Sequence, residues 1–201
     1  MVQITTTKQI SWDCVQVTLS MGSSFFVRSC YLQLLPAQDI VAERQLSDAE
    51  LDDLVLAGLK FAAEKAAVAY LERAEHSRFL LTIKLKKKGH EDVAIDGALD
   101  YLQERGFLSD LRYAQAWLRN RAINHAEGRS RLLCGLLTKG IDRKLANQAL
   151  DEYFEGVDQQ QLLDRAIEKC RRLGKSVEAT EKYLARKGFS YKDFKSKISK
   201  I

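Results

Sequence analysis

The chain has 201 residues, 46% of them hydrophobic, and its formal net charge of +5 favours an acidic partner without by itself indicating nucleic acid. Its four cysteines are scattered, without a CxxC pair or histidines at ligand spacing, which argues against a disulfide framework or a zinc site. The sequence shows neither a signal-peptide pattern nor an apolar run approaching the roughly 18 residues of a membrane span, so we expect a cytoplasmic protein that does not bind a membrane.

Residues 1–46 differ in pattern from the rest of the chain. The segment 15–19 alternates with period two, 21–24 is typical of a turn, and 25–32 is rich in residues that favour strands. We therefore predict two or three short strands that end near Pro36. Because two strands alone are only marginally stable, this small β-rich extension is expected to pack on the helices that follow.

From Ser47 the pattern becomes helical. Ser47 and Glu50 have the spacing of a capping box, in which a serine hydroxyl and a glutamate carboxylate satisfy the first free amides of a helix. Apolar residues continue at helical spacing to about residue 75, and Gly58 marks a point where the helix could break. The rest of the sequence has almost no strand signal, and a single proline in the whole chain leaves long helices permitted.

The helical part contains three similar units. A Leu-x-x-Lys-Gly pattern ends at Gly89, Gly140 and Gly188, and an apolar-periodic stretch lies on each side of these glycines. A glycine after a basic helical turn is typical of the position just beyond a helix, where the left-handed conformation ends it. Asp142 and Ser190 then supply caps for the next helix. The predicted helices span residues 57–75, 77–88 and 91–105, then 109–125, 128–139 and 142–154, and finally 158–173, 176–187 and 190–200.

We therefore predict a mainly α protein with three tandem three-helix repeats in an elongated, curved array, behind the short β-rich N-terminal extension. A three-helix unit cannot bury its apolar face alone, whereas stacked units can. The predicted parts are the extension at 1–46, a first repeat with a lead-in helix at 47–107, a second repeat at 108–156 and a third at 157–201.

Positive charge is concentrated in the second helix of each repeat. Residues 77–89 carry five basic and no acidic side chains, whereas residues 90–110 carry one basic and six acidic ones. If equivalent helices share a side, their basic residues form a discontinuous basic stripe that would bind a polyanion or an acidic protein groove in a salt-sensitive way. For any one lysine a solvated position is the simpler interpretation, but the same bias in all three repeats favours binding. The basic stripe comprises Lys84, Lys86, Lys87, Lys88, Arg119, Arg121, Arg129, Arg131, Lys139, Lys182, Arg186 and Lys187.

The sequence gives no sign of a catalytic, cofactor or metal site. It contains no Gly-rich phosphate loop, and its three histidines are isolated. Asp92, Asp96 and Asp100 recur every four residues, which is more typical of a solvated helix face than of a metal cluster. Tyr113 and Trp117 are more typical of a helical core than of a base-stacking platform. We predict that the protein is not an enzyme and has no catalytic residues, metal or cofactor.

Three segments of the chain resemble the RecX family of recombinase regulators. Segment 108–117 is similar to the family's Gly-apolar-x-Asp…Arg-Tyr-Ala…aromatic helix, and 128–141 is similar to its Gly…Arg-Leu helix with a Lys-Gly-Ile ending. Segment 184–191 looks like the family's C-terminal signature. The resemblance covers roughly residues 57–201. The β-rich extension does not match the compact core of the family, and His90 replaces the apolar residue usual after the first Lys-Gly.

The resemblance implies a protein that binds in the deep groove of the RecA filament on single-stranded DNA. It implies inhibition of strand exchange, ATP hydrolysis and co-protease activity, through blocked filament growth or weakened subunit contacts. The family has no catalytic residues to carry over, and the basic stripe is our inference from charge. We expect a monomer with at most weak, nonspecific affinity for DNA. The alternatives are a basic three-helix module that binds DNA directly, and a helical scaffold for another acidic protein.

Overall fold

The computed structural model describes residues 2–198, and within them the chain forms four strands, two short 3₁₀ turns and nine helices. The predicted mainly α fold, built of three-helix repeats with a small N-terminal strand region, is confirmed. The last predicted helix was drawn to residue 200, and residues 199–201 lie outside the described part. The chain divides into two compact units, one with residues up to 74 and 81–108, the other with 75–80 and residues from 109 onward.

The first unit begins with an antiparallel sheet in the order β3-β2-β1-β4. The strands β2 (Cys14–Leu19) and β3 (Ser24–Arg28) lie where the sequence predicts strands. The prediction missed β1 (Val2–Ser11) and the two-residue β4 (Gln45–Leu46). Most β1 side chains from residue 5 onward are exposed and polar, and two register shifts interrupt its pairing with β2, so this strand has no regular apolar alternation.

The sheet packs on the long helix α1 (Asp48–Leu71), as predicted for the extension. The capping box at Ser47 and Glu50 is confirmed, with both reciprocal hydrogen bonds present. The helix is not broken at Gly58. Glycine is needed there for close packing instead, because a Cβ at this position would lie 2.6 Å from the ring of Phe25 in β3. The core between sheet and helix contains Ile4, Val17, Leu19, Val27, Leu46, Leu54 and Ala57.

Helices α2 (Arg78–Lys87) and α3 (Asp92–Glu104) complete the first repeat. Gly89 follows α2 with a φ of +86°, as its sequence position predicts. After α3, Phe107 is 61% exposed, whereas Leu108 is buried and its amide donates to the Leu102 carbonyl at 3.0 Å.

The second unit contains the other two repeats. The second repeat has α4 (Asp110–Asn124), α5 (Arg129–Leu137) and α6 (Arg143–Glu155). The third has α7 (Gln159–Arg172), α8 (Val177–Arg186) and α9 (Tyr191–Ile198). Gly140 and Gly188 end α5 and α8 with φ values of +76° and +85°. Each repeat has its own core, centred on α4–α6 in one case and on α7–α9 in the other.

Among the residues described, none of the helices has the length and apolar character that crossing a bilayer requires. Likewise, residues 2–198 contain no group of three or more His, Cys, Asp or Glu side chains placed to hold a metal ion.

Candidate functional site

In the first unit, the predicted basic residues cluster at the end of α2. The ammonium groups of Lys84 and Lys88 lie 4.5 and 4.9 Å from the ring centroid of Tyr70, within the range of a cation–π interaction. Lys86 pairs with Asp92 of α3 at 2.8 Å, on a solvent-exposed surface where an ion pair contributes little stability. The four lysines that the sequence singles out here all lie on the last turns of α2 or directly after it: Lys84, Lys86, Lys87 and Lys88.

In the second unit, a basic cleft lies between α4 and α5. The indole of Trp117 lies against Gly135, where a Cβ would overlap the ring, so glycine in α5 is what lets the two helices approach. The guanidinium of Arg121 lies over the same indole, 5.1 Å from its centroid. The resulting cavity has a volume of about 300 Å³. We call it the α4–α5 cleft and define it by Trp117, Arg121, Arg131, Cys134, Gly135, Thr138 and Lys139.

The α4–α5 cleft carries positive charge that nothing in its lining offsets. None of its lining residues is acidic, and among residues 2–198 neither Arg131 nor Lys139 has an ion-pair partner. Trp117 supplies an apolar wall beside these cations. A recess with this combination suits a carboxylate or phosphate group attached to an apolar or planar body.

A buried carboxylate, that of Glu127, binds two members of the basic stripe, one of them the cleft residue Arg121. Its side chain is 2% exposed and accepts hydrogen bonds from Arg121 and, at 3.2 Å, from the ammonium group of Lys187. Burial would raise the pKa of the Glu127 carboxyl, but the hydrogen bonds from these two cations outweigh that effect and lower it. Arg121 and Lys187 therefore have a structural role that the sequence did not reveal, because Glu127 lies in a loop and Lys187 is 60 residues away from it in sequence.

We expect the substitution Glu127→Gln to lower the free energy of unfolding by about 1–3 kcal/mol at neutral pH, because it leaves two partly buried cations without their counter-charge. A carboxyl with a lowered folded-state pKa stabilises the protein above its unfolded pKa of about 4.3, and this contribution is lost as pH falls through the folded pKa. The difference in the free energy of unfolding between the unmodified chain and the variant should therefore be smaller in acid. Urea unfolding at pH 7 and near pH 3 measures it, with the exposed Glu155→Gln as control. An equal difference at both pH values would contradict the assignment.

A specific junction joins the second repeat to the residues before it. Residues 75–80 belong to the second unit, and there the hydroxyl of Ser77 donates to the main-chain carbonyl of Lys139 at 2.7 Å. The side chain of Phe79 covers Gly140 so closely that a Cβ on this glycine would overlap it.

The same junction recurs between the second and third repeats. The amide of Gly128 donates to the carbonyl of Lys187 at 2.9 Å, and the hydroxyl of Ser130 donates to the carbonyl of Gly188, also at 2.9 Å. A Cβ on Gly188 would collide with Arg131. The start of α5 is thus fixed against the turn after α8.

The remaining predicted residues lie outside the α4–α5 cleft. Arg129 pairs with Asp151 of α6 at 2.8 Å, so its charge is compensated within its own repeat. Arg119 is exposed and lines a different cavity, of about 280 Å³, next to Glu152. Lys182 and Arg186 are exposed on α8. Of the twelve residues of the basic stripe, the structure brings three together in the cleft: Arg121, Arg131 and Lys139.

One group of basic residues was missed by the sequence analysis. Arg165, Lys169 and Arg172 line a cavity of about 550 Å³ on α7, together with Tyr183, Lys187 and the carboxylates Asp164 and Glu168. The first three recur at i, i+4 and i+7, a spacing that puts them on one face of a helix and that the sequence alone could have revealed. The sequence analysis looked for basic residues mainly in the second helix of each repeat, whereas α7 is the first helix of the third repeat.

Family models and known proteins show what the chain is similar to. A model described as the first three-helix domain of RecX matches residues 63–107, and one described as the second three-helix domain matches 109–150. Regulatory protein RecX of Treponema pallidum (strain Nichols) is 36% identical over 130 residues, which cover 65% of this chain and 79% of that protein. Regulatory protein RecX of Ectopseudomonas mendocina is 41% identical over 97 residues, 48% of this chain and 63% of that one. A crystal structure of a regulatory protein RecX has the same fold, with a TM-score of 0.75 over 100% of both chains at 20% identity.

Proposed function

The chain belongs to the RecX family of regulatory proteins, and from this we propose that it binds the RecA filament on single-stranded DNA and inhibits its recombinase, ATPase and co-protease activities. In this proposal it acts in the cytoplasm and carries out no catalysis of its own. The observation that supports it most directly is the α4–α5 cleft, where Arg131 and Lys139 present uncompensated charge beside Trp117.

A basic recess of this kind fits the acidic surfaces of a nucleoprotein filament. An exposed charge pair contributes at most about 1 kcal/mol and weakens as salt is added, so one cleft alone gives weak binding. Tandem modules, which we place at 47–107, 108–156 and 157–201, would add their contacts through a high effective concentration. Inhibition follows if the protein binds one filament geometry better than another, because a ligand shifts an equilibrium only by its differential affinity.

The second candidate function is direct binding to DNA. The α7 cavity favours it, because Arg165, Lys169 and Arg172 face one recess beside the ring of Tyr183, and cations next to an aromatic ring suit a nucleic-acid backbone and its bases. This candidate requires tight, sequence-selective binding to naked DNA. Weak, nonselective and salt-sensitive binding would favour the filament regulator instead.

The proposed function is tested by DNA-dependent ATP hydrolysis of the cognate RecA. The chain is expected to depress hydrolysis when added in less than one copy per RecA protomer, because each bound copy would act on a filament rather than on a single subunit. Binding of the chain to RecA without DNA, measured by sedimentation, controls for a direct effect on the monomer. Unchanged hydrolysis at a saturating amount of the chain would rule the proposal out.

A further inference from the structure

The two junctions in the second unit use equivalent positions of the repeats. Ser77 and Gly128 each lie 12 residues before the glycine that ends the second helix of their own repeat. The hydroxyl of Ser77 donates to the carbonyl of Lys139, and the main-chain amide of Gly128 donates to the carbonyl of Lys187; each acceptor is the lysine before the corresponding glycine of the next repeat. Phe79, two positions after Ser77, then covers Gly140. Gly188 is covered mainly by Arg131, three positions after Gly128, with the hydroxyl of Ser130 beside it. The junction is therefore a property of the repeat and not of one particular pair of residues.

The third repeat contains the donor half of a junction, the residue equivalent to Ser77, but within the described residues no following repeat packs against it. Ser176 lies 12 residues before Gly188 and is exposed. Its hydroxyl accepts from the amide of Ala179 at 3.3 Å, as the hydroxyl of Ser77 accepts from Leu80 at the same distance. The hydroxyl of Ser77 also donates its hydrogen to the Lys139 carbonyl of the next repeat. The hydroxyl of Ser176 has no corresponding carbonyl to donate to among the described residues.

The first repeat presents the acceptor half, also uncovered. After α2, the amide of Gly89 donates to the Lys86 carbonyl at 2.9 Å and that of His90 to the Leu85 carbonyl at 3.2 Å. The turns at Gly140 and Gly188 have the same bond pattern. Yet a Cβ placed on Gly89 would meet no atom within 4 Å, whereas the other two glycines are tightly covered.

We propose that a second copy of this chain completes the junction, so that copies associate head to tail. The hydroxyl of Ser176 in one copy would donate to the carbonyl of Lys88 in the next, and Glu178 would lie over Gly89. Two observations favour a copy of the chain over another partner. The two halves match a contact that the chain already makes twice within itself. Their charges are also complementary, since Glu178 would meet the lysines at the end of α2.

Association of this kind does not stop at two copies. The two surfaces differ, so each copy that binds through one of them still presents the other, and the contact is heterologous rather than self-complementary. The proposal is independent of RecA, and its tests use the chain alone. It also departs from the monomer expected on sequence grounds.

Cysteine trapping tests the geometry. The pair Lys88→Cys and Ser176→Cys is introduced into a chain whose exposed cysteines, Cys30 and Cys134, are changed to serine, while the buried Cys14 and Cys170 stay. Under a mild oxidant the pair should give a ladder of dimers, trimers and longer species on a non-reducing gel. Each single variant serves as control and can form dimers only. A pair that crosslinks no further than the single variants would overturn the proposal.

Charge exchange tests the same contact without crosslinking. Sedimentation velocity of the unmodified chain should show weight-average mass rising with concentration. Glu178→Lys should weaken this association about threefold to tenfold, and the further changes Lys87→Glu and Lys88→Glu in the same chain should restore it. Glu155→Lys, an equal charge change on α6, should leave association as it is. A monomeric chain at every concentration would contradict the proposed junction. An equal loss of association in Glu178→Lys and Glu155→Lys would contradict it as well.

Discussion

Replacing Arg28 with methionine is expected to lower the free energy of unfolding by about 3–5 kcal/mol, the cost of leaving buried carboxylates without their cation. The Arg28 guanidinium pairs with Asp13 through one terminal nitrogen and with Glu64 of α1 through the other, both at 2.5 Å. The two carboxylates are only 6% and 7% exposed. Removal of the arginine would leave two negative charges in the protein interior, a few ångströms from the place where it stood.

The surroundings of Arg28 explain why the loss should be large. The guanidinium lies 4.7 Å from the ring centroid of Tyr101 and is further fixed by a 2.9 Å hydrogen bond from its Nε to Glu64. The phenol of Tyr31 also donates to Glu64, at 2.8 Å. Hydrogen bonding to Glu64 raises the pKa of Arg28, while burial raises that of Tyr31, so both remain protonated. Arg28 and Tyr31 are thus hydrogen-bonded to Glu64, and Asp13 is hydrogen-bonded to Arg28.

Denaturant unfolding followed by circular dichroism measures this effect. Arg73→Met is the matched control, since Arg73 is exposed just beyond α1 and has no ion-pair partner among the described residues. The control is expected to change the free energy of unfolding by no more than about 0.5 kcal/mol. A comparable loss in the two variants would mean that the Arg28 cluster contributes no specific stability.

Reversing the charge of the α4–α5 cleft with Arg131→Glu and Lys139→Glu is expected to raise the amount of chain needed for half-inhibition of RecA ATP hydrolysis about tenfold or more, equivalent to roughly 1.4 kcal/mol. Both side chains line the cleft without an acidic neighbour, so the change replaces attraction for an acidic partner by repulsion. Arg129 stays unchanged, because its pairing with Asp151 makes it part of the repeat's own structure.

The matched control is Arg143→Glu with Lys144→Glu. These residues are exposed at the start of α6, outside the basic stripe, and the substitution alters net charge by the same amount. It should leave inhibition within about twofold of that of the unmodified chain, because these residues lie outside the cleft. The helix should also remain folded, because acidic residues in the first turn of a helix are favourable. Helical content must be retained in both variants. Equal loss of inhibition in the two would assign the effect to overall charge and not to the cleft.

The helices were predictable because their signals are local. Gly89, Gly140 and Gly188 take the left-handed conformation that their position after a basic turn suggests, and Ser47 caps α1 through bonds within four residues. By contrast, β1 was missed, because most of its side chains from residue 5 onward are polar and exposed, which leaves no regular apolar alternation in its sequence.

The candidate site was predictable only in part, because the sequence does not show which basic residues pair with acidic residues on a neighbouring helix. Arg129, Lys86 and Arg131 were all predicted to belong to the basic stripe, yet the first two pair with acidic residues on the third helix of their own repeat. Part of the positive charge of the second helices is thus compensated within the same repeat and is not available to a partner. Glu127 was not singled out, since nothing local marks a loop carboxylate as buried.

The close fit between Phe25 and Gly58 limits how the protein can be dissected. A version shortened to start at Ser47 would present to water the face of α1 that now receives β3, including Leu54 and Ala57. It would also leave the Glu64 carboxylate without Arg28 and Tyr31, which both precede Ser47. Such a fragment would tend to aggregate, and its failure to act on a filament would say nothing about the role of the sheet. A useful truncation would therefore need polar replacements along that face of the helix.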